Sequence, residues 1–312
     1  MRIACVFPGQ GSQSVGMLEG WMRMPAIESL LRDADDALGE GLSGLIREGP
    51  AQALALTVNT QPAMLLAGVC AWQAWLLAGG ARPQMMAGHS LGEYAALVAA
   101  EVIRLPDALR LVRLRAQAMQ DAVPVGSGAM AAVLGLDDAD VIAQCAQISR
   151  ELGKVVEAVN FNAPSQVVIA GDRLAVEAAC AALKAKGAKR TLALPVSAPF
   201  HSSLLAPAGE RLAQALADLS LSPPRIAVIN NVDARVEREP EAIANALVRQ
   251  AYHPVRWVES VRAMVNAGVD TLIEMGPGRV LAGLASRIDP SLRVFSVYDP
   301  STLEEALAAT SP

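Results

Sequence analysis

Met85-Met-Ala-Gly-His-Ser-Leu-Gly-Glu-Tyr-Ala-Ala-Leu-Val-Ala-Ala100 decides the architecture. Met85 to Ala87 is a short apolar strand, and Leu91 to Ala100 is an apolar, alanine-rich helix. Between them Gly88-His89-Ser90-Leu91-Gly92 matches G-x-S-x-G, the sharp strand–turn–helix connection that lifts a serine to the edge of a parallel sheet. The two glycines let the backbone reverse without a Cβ clash. Ser90 then stands at a helix N-terminus, where the helix dipole and the Leu91 N–H favour a developing oxyanion. Ser90 is the candidate nucleophile; the alternative reading is an ordinary tight turn.

Outward from this stretch, short apolar runs alternate with helical patterns. Ile3 to Phe7 reads as a strand and Pro25 to Leu38 as a helix; after the midpoint come strand Arg225 to Asn230, helix Glu241 to Ala251, strand Thr271 to Met275, helix Val280 to Arg287 and strand Arg293 to Val297. This ordering predicts an α/β fold with a mostly parallel sheet. Ala63 to Gly80 reads as a buried core helix, with Pro62 at its first helical position and Gly79-Gly80 closing it. The middle of the chain differs. Residues 129–134, 138–151, 155–160, 166–170, 173–186 and 189–194 read strand, helix, strand, strand, helix, strand, the split-βαβ arrangement of ferredoxin-like domains. Pro/Gly/Ser-rich segments flank it, Pro124 to Gly128 and Pro195 to Pro199. The expected organisation is a large α/β subdomain over 1–126 and 197–312, interrupted by a small one over 127–196.

The 312 residues are 53% hydrophobic and 18% charged, which excludes a disordered or fibrous chain. With 26 Lys+Arg against 31 Asp+Glu the net charge is −5, so nucleic acid is not an expected partner. The apolar run behind Met1 is too short for a signal-peptide core, and the Ala63 to Gly80 segment is broken by Gln73, so no membrane association and a cytoplasmic location are expected. Cys5, Cys70, Cys145 and Cys180 are far apart in sequence and suggest neither a disulfide framework nor a zinc site; four buried thiols are expected, and no metal.

A serine nucleophile needs a base, and the chain has three histidines. His89 neighbours Ser90 on the turn and should point elsewhere. His253 follows a helix, where an imidazole serves as a cap. His201 remains, in the irregular segment where the chain re-enters the large subdomain, a setting that commonly carries catalytic groups. No acidic third member is evident.

The helix Pro106 to Ala122 carries an anomaly. At ~100° per residue, Arg110, Arg113, Gln117, Gln120 and Asp121 form one polar stripe, yet Arg115 lies amid the apolar side with Leu111, Val112, Ala118 and Met119. An inward guanidinium requires an anion, and its fork suits a carboxylate. That carboxylate is either a protein group, Glu93 or Glu101, or one carried by a substrate. Phe7 to Gln13 and Gly276-Pro277-Gly278 each follow a strand like a dinucleotide fingerprint but lack its third glycine, with Ser14 and Leu281 in its place. A loop at a strand end can instead supply an oxyanion-hole N–H, and Gln10 is placed for that.

Taken together these residues resemble the malonyl-CoA:acyl-carrier-protein transacylase family of bacterial type II fatty acid synthesis over nearly the whole chain. The resemblance rests on Phe7-Pro-Gly-Gln-Gly-Ser-Gln13, Thr60-Gln-Pro62, Gly88-His-Ser-Leu-Gly-Glu-Tyr94, Arg115 with Met119-Gln120, Val159-Asn-Phe-Asn162, Gln166 to Gly171, His201, Val248-Arg-Gln250 and Glu274 to Gly278. It implies an α/β-hydrolase-like large subdomain with a ferredoxin-like small one. By position it implies Ser90 as nucleophile, His201 as base, Arg115 as malonyl-carboxylate receptor, the backbone of Gln10 and Leu91 as oxyanion hole, and the Gln250 carbonyl orienting His201. Gln61, Asn160, Asn162 and Phe200 would line the pocket, and the Phe200 ring, where a small residue is common, would favour malonyl over methylmalonyl. The implied partners are malonyl-CoA and acyl carrier protein, with phosphopantetheine belonging to the carrier, no metal or organic cofactor, and a monomer as the expected state. The same scaffold serves polyketide and malonate decarboxylase systems. Two rival readings remain: a serine esterase or thioesterase that passes the acyl group to water, and a non-catalytic carrier-binding module.

Overall fold

The computed structural model describes residues 1–196 and 198–310; Ser197, the expected start of the large subdomain's second half, and residues 311–312 lie outside the described residues. The chain begins β1 (Ile3–Phe7), α1 (Pro25–Leu38), α2 (Leu42–Glu48), α3 (Ala51–Leu54), α4 (Thr57–Leu77), β2 (Met85–Gly88), α5 (Gly92–Ala99) and α6 (Leu105–Asp121). It continues β3 (Gly128–Leu134), α7 (Asp138–Leu152), β4 (Val156–Ala163), β5 (Gln166–Asp172), α8 (Arg173–Ala185) and β6 (Arg190–Ala193). The last part is α9 (Ala206–Ala217), β7 (Ala227–Ile229), α10 (Pro240–Gln250), α11 (Trp257–Asn266), β8 (Thr271–Met275), α12 (Val280–Ile288), β9 (Arg293–Val297) and α13 (Pro300–Thr310).

Five strands form a parallel sheet in the order β7-β2-β1-β8-β9. Helices on both faces bury all of β1, whose Ile-Ala-Cys-Val-Phe run therefore shows no alternation. The register pairs Phe7 with Gly88 and Ala87 with Ile229, so the loops after β1, β2 and β7 leave from one edge. That carboxyl edge is where open α/β sheets place ligands. The second sheet, antiparallel in the order β4-β5-β3-β6, has the ferredoxin-like connectivity expected from the strand and helix pattern. Its alternation is clean: Ala131, Val133, Val167 and Ile169 pack under α7 and α8, while Met130, Val168 and Ala170 face the other way toward Leu194, Val196 and Phe200.

Several elements differ from expectation. The core helix α4 begins at Thr57, which puts Pro62 inside it rather than at its first position. Pro62 has no N–H for the Val58 carbonyl, and burial of almost the whole helix between α1, α5 and α6 overrides that loss. The β7 strand is only three residues long. Cys5, Cys70 and Cys145 are buried, but Cys180 is partly exposed. No helix among the described residues is long and apolar enough to cross a membrane.

Glu274, at zero exposure on β8, accepts the Leu281 N–H on Oε1 at 3.1 Å and the Ala282 N–H on Oε2 at 2.9 Å, capping α12. Burial pushes its carboxyl up to about 7 against an ordinary 4.5. Within that window the folded chain holds a proton the unfolded chain has released, so this group's contribution to stability falls as pH rises. Glu274→Gln keeps an acceptor and cannot ionise. Its melting temperature relative to the wild type is expected to rise steadily from pH 5 to pH 8; a difference that does not vary with pH would show that the carboxyl titrates alike in both states.

Candidate functional site

At Gly88 a Cβ would lie 1.8 Å from the Gly92 carbonyl carbon, and at Gly92 it would lie 2.0 Å from the Phe7 carbonyl oxygen. Only glycine permits β2 to turn directly into α5 against the end of β1. The turn leaves Ser90 at φ 52°, a left-handed conformation unusual for a residue with a side chain. Asn231, in the loop after β7, holds it there: its Oδ1 accepts the Ser90 N–H at 2.7 Å and its Nδ2 donates to the Gly88 carbonyl at 2.6 Å.

Ser90 Oγ lies 2.7 Å from His201 Nε2. His201, also at positive φ (66°), has its Nδ1 2.8 Å from the Gln250 carbonyl. A carbonyl only accepts, so Nδ1 carries the proton and Nε2 presents its lone pair to the serine, the tautomer a base requires. Burial, with the Arg115 charge second, pushes the imidazole down to about 3, so it is neutral near pH 7. His89 turns away and pairs through Nε2 with Asn162 Oδ1 at 2.7 Å. His253 stacks beside Tyr252 in a different groove.

Arg115 is 1% exposed, on the apolar side of α6 where helical phase put it. Its Nη1 donates to Gln61 Oε1 at 2.7 Å, and its Nη2 donates to Gln250 Oε1 at 2.9 Å and Ser90 Oγ at 3.1 Å. The Tyr94 ring lies 5.4 Å from Cζ. All three acceptors are neutral. Glu101 is engaged by Arg225, and Glu93 Oε2 accepts from the Asn231 N–H and Gln250 Nε2, so neither expected protein carboxylate forms an ion pair with Arg115. Among the described residues no carboxylate lies within salt-bridge distance of the guanidinium, and burial lowers its pKa. A buried cation with neutral partners therefore stands beside the serine.

These groups line a cleft of about 610 Å³, open mouth included, between the carboxyl edge of the parallel sheet and the free face of the antiparallel one. Gln10, Gln61, Ser90, Leu91, Arg115, Asn160, Phe200 and His201 all line it. Asn162 does not. Irregular register on either side of Phe161 bends β4 and hands the Asn162 amide to His89. Neither the Gln10 nor the Leu91 N–H donates to an acceptor among the described residues, whereas the Ser90 N–H is taken by Asn231. No cluster of His, Cys, Asp and Glu able to hold a metal occurs among the described residues. Asn231 and the apolar Met130, Leu194 and Val196 escaped the sequence reading, and Met119 was read as apolar helix and motif but not as a cleft residue. The only signal for Asn231 is that it follows a strand of the parallel sheet.

Residues 4–287 match the acyl transferase domain family. The malonyl CoA-acyl carrier protein transacylase of Salmonella typhimurium is 50% identical over 307 residues, 98% of this chain and 99% of that protein. Among solved structures, an acyl-carrier-protein S-malonyltransferase from Burkholderia pseudomallei 1710b superposes with a TM-score of 0.96 at 58% identity, covering 99% of this chain and 100% of the other. A malonyl-transacylase solved with its type II PKS acyl-carrier protein gives 0.97 at 48% identity with the same coverage.

A fluorophosphonate, which reacts with activated serines and carries no carboxylate, reads the serine–histidine pair alone. Labelling is expected to vanish in Ser90→Ala and to slow by about 10²-fold or more in His201→Ala, with His253→Ala close to the wild type. Greater damage from His253→Ala would identify a different base.

Proposed function

The chain belongs to the acyl transferase domain family, as an enzyme carrying malonyl from malonyl-CoA to an acyl carrier protein for fatty acid synthesis, and we propose that it works through a malonyl-Ser90 intermediate. The observation that carries this reading is the buried Arg115 with neutral partners, its Nη2 3.1 Å from the serine oxygen. An acyl group with a free carboxylate supplies the missing anion and, with that carboxylate on Arg115, brings its thioester carbon to Ser90.

In the first half-reaction His201 Nε2 takes the Ser90 proton as Oγ bonds to the thioester carbon. The oxyanion is met by the Gln10 and Leu91 N–H groups. The C–S bond then breaks, and the imidazolium returns its proton to the departing CoA sulfur. In the second half the carrier's phosphopantetheine thiol gives its proton to His201 and attacks the malonyl-Ser90 ester, and the serine regains its proton as it leaves. The Gln250 carbonyl stabilises the imidazolium in both halves, so no carboxylate is needed there. The scheme uses neither metal nor organic cofactor, and we place it in the cytoplasm. Phe200 and Met130 line the same cleft as Ser90, and their bulk disfavours an α-methyl on the acyl group. The esterase reading uses the same serine and histidine and differs only in taking water as acceptor.

Intact mass after mixing with malonyl-CoA is expected to show one added malonyl in the wild type and none in Ser90→Ala. Removing the guanidinium leaves the substrate carboxylate buried and unpaired, a loss of about 3–5 kcal/mol, so Arg115→Ala should lower malonyl kcat/KM by roughly 10²–10⁴. The malonyl-to-acetyl loading ratio should collapse with it, and Arg115→Lys should fall between. An unchanged ratio with a lowered melting temperature would make Arg115 a structural residue.

Carrier proteins of this pathway are acidic, so a docking surface should be basic. Of two basic clusters, Lys184, Lys186, Lys189 and Arg190 lie at the end of α8 and the start of β6, and there Lys186 is paired with Asp140. Arg279 lies over Tyr298, and Arg287 meets only the neutral oxygens of Gln166 and Pro164. Neither arginine of the second cluster pairs with a carboxylate among the described residues. Arg279→Glu with Arg287→Glu is expected to raise KM for the carrier several-fold, most at low salt, while malonyl loading of Ser90 stays at the wild-type rate. An unchanged carrier KM would exclude this surface.

A further inference from the structure

Gln250 lies between two groups that want opposite ends of its amide. Arg115 Nη2 needs an acceptor and receives Oε1 at 2.9 Å; Glu93 Oε2 needs a donor and receives Nε2 at 2.8 Å. The Ser90 carbonyl adds a second acceptor for Nε2 at 3.0 Å. An ionised carboxylate has no proton to donate, so Glu93 admits only the nitrogen of the amide, and the oxygen must then face Arg115. Glu93 is itself locked. It is 2% exposed in the first turn of α5, and the same Oε2 accepts the Asn231 N–H at 2.9 Å.

We propose that Glu93 is a positioning residue for acyl-donor selection: through the Gln250 side-chain amide it fixes the place and orientation of the Arg115 guanidinium. The proposal rests on Arg115 as the carboxylate receptor. It separates two duties of Gln250, because His201 is oriented by the Gln250 backbone carbonyl and Arg115 by the side chain. Disturbing the side-chain relay should therefore injure recognition of a carboxylate more than it injures the serine–histidine pair. The Asn231 N–H and the Gln250 Nε2–H both favour the carboxylate that burial pushes up to about 7, so at pH 8 it is ionised.

The test compares, at pH 8, malonyl loading, acetyl loading and fluorophosphonate labelling of Ser90. Glu93→Asp keeps the charge but withdraws the oxygen by one methylene. It is expected to lower the malonyl-to-acetyl ratio about ten-fold, the scale of one hydrogen bond to a charged group, and to lower malonyl loading several-fold more than fluorophosphonate labelling. Glu93→Gln still offers an oxygen at that position and is expected to recover most of the ratio. In a Gln250→Met background, which keeps the backbone carbonyl but breaks the relay, Glu93→Asp is expected to change the ratio no further. An unchanged ratio in Glu93→Asp, an equal fall in all three readouts, or a full additional loss in the Gln250→Met background would each overturn the proposal. Arg115→Ala measured alongside separates the two levels. If it collapses the ratio and Glu93→Asp does not, only the Glu93 relay fails; if it leaves the ratio unchanged, the reading of Arg115 fails first.

Discussion

A guanidinium has been taken out of water and given only neutral oxygens. Arg115 sits on α6 at 1% exposure, fixed by amide oxygens from α4 and α10 and by the serine hydroxyl. Such a charge is tolerated where hydrogen bonds satisfy it and a counter-charge stands near, and Glu93 supplies that counter-charge through Gln250 rather than by contact. Gln250 stands between the two, so the guanidinium and the Glu93 carboxylate meet the same amide and not each other.

The rest of the site follows from where the parallel strands end. β1, β2 and β7 finish at one edge in register, so Gln10, Ser90 and Asn231 arrive there without long loops. Two glycines allow the Ser90 turn to press against β1, and Asn231 satisfies the strained backbone by binding the Ser90 N–H and the Gly88 carbonyl. Met130 and Asn160 of the antiparallel sheet, with Leu194 and Val196 just beyond its last strand, add a roof.

Much of this was legible residue by residue. G-x-S-x-G carries its own strand–turn–helix context, and a helix of 17 residues is long enough for phase to place Arg115 inward without any structure. The βαββαβ order was readable because its strands alternate and its helices have regular apolar faces. Pro62 misled because its usual place is a helix start, and burial of α4 outweighed that preference. The resemblance put Asn162 in the pocket, but β4 is irregular on both sides of Phe161 and the Asn162 amide meets His89 instead. Asn231 was invisible, since an Asn-Asn pair after a three-residue strand looks like any polar loop.

Local chemistry and periodicity express the fold class, the serine turn, the shortlist of histidines and the inward arginine. Which partners those groups meet depends on packing between distant parts of the chain. Glu93 and Glu101 were equal candidates for Arg115 until packing gave one to Arg225 and the other to Gln250. His201 meets Ser90 across 111 positions of chain, and the carbonyl that orients it belongs to a residue 49 positions further on. A backbone carbonyl is present at every residue and leaves no mark in the sequence. Its role as the third member of the serine–histidine arrangement exists only once α10 is docked against the elbow.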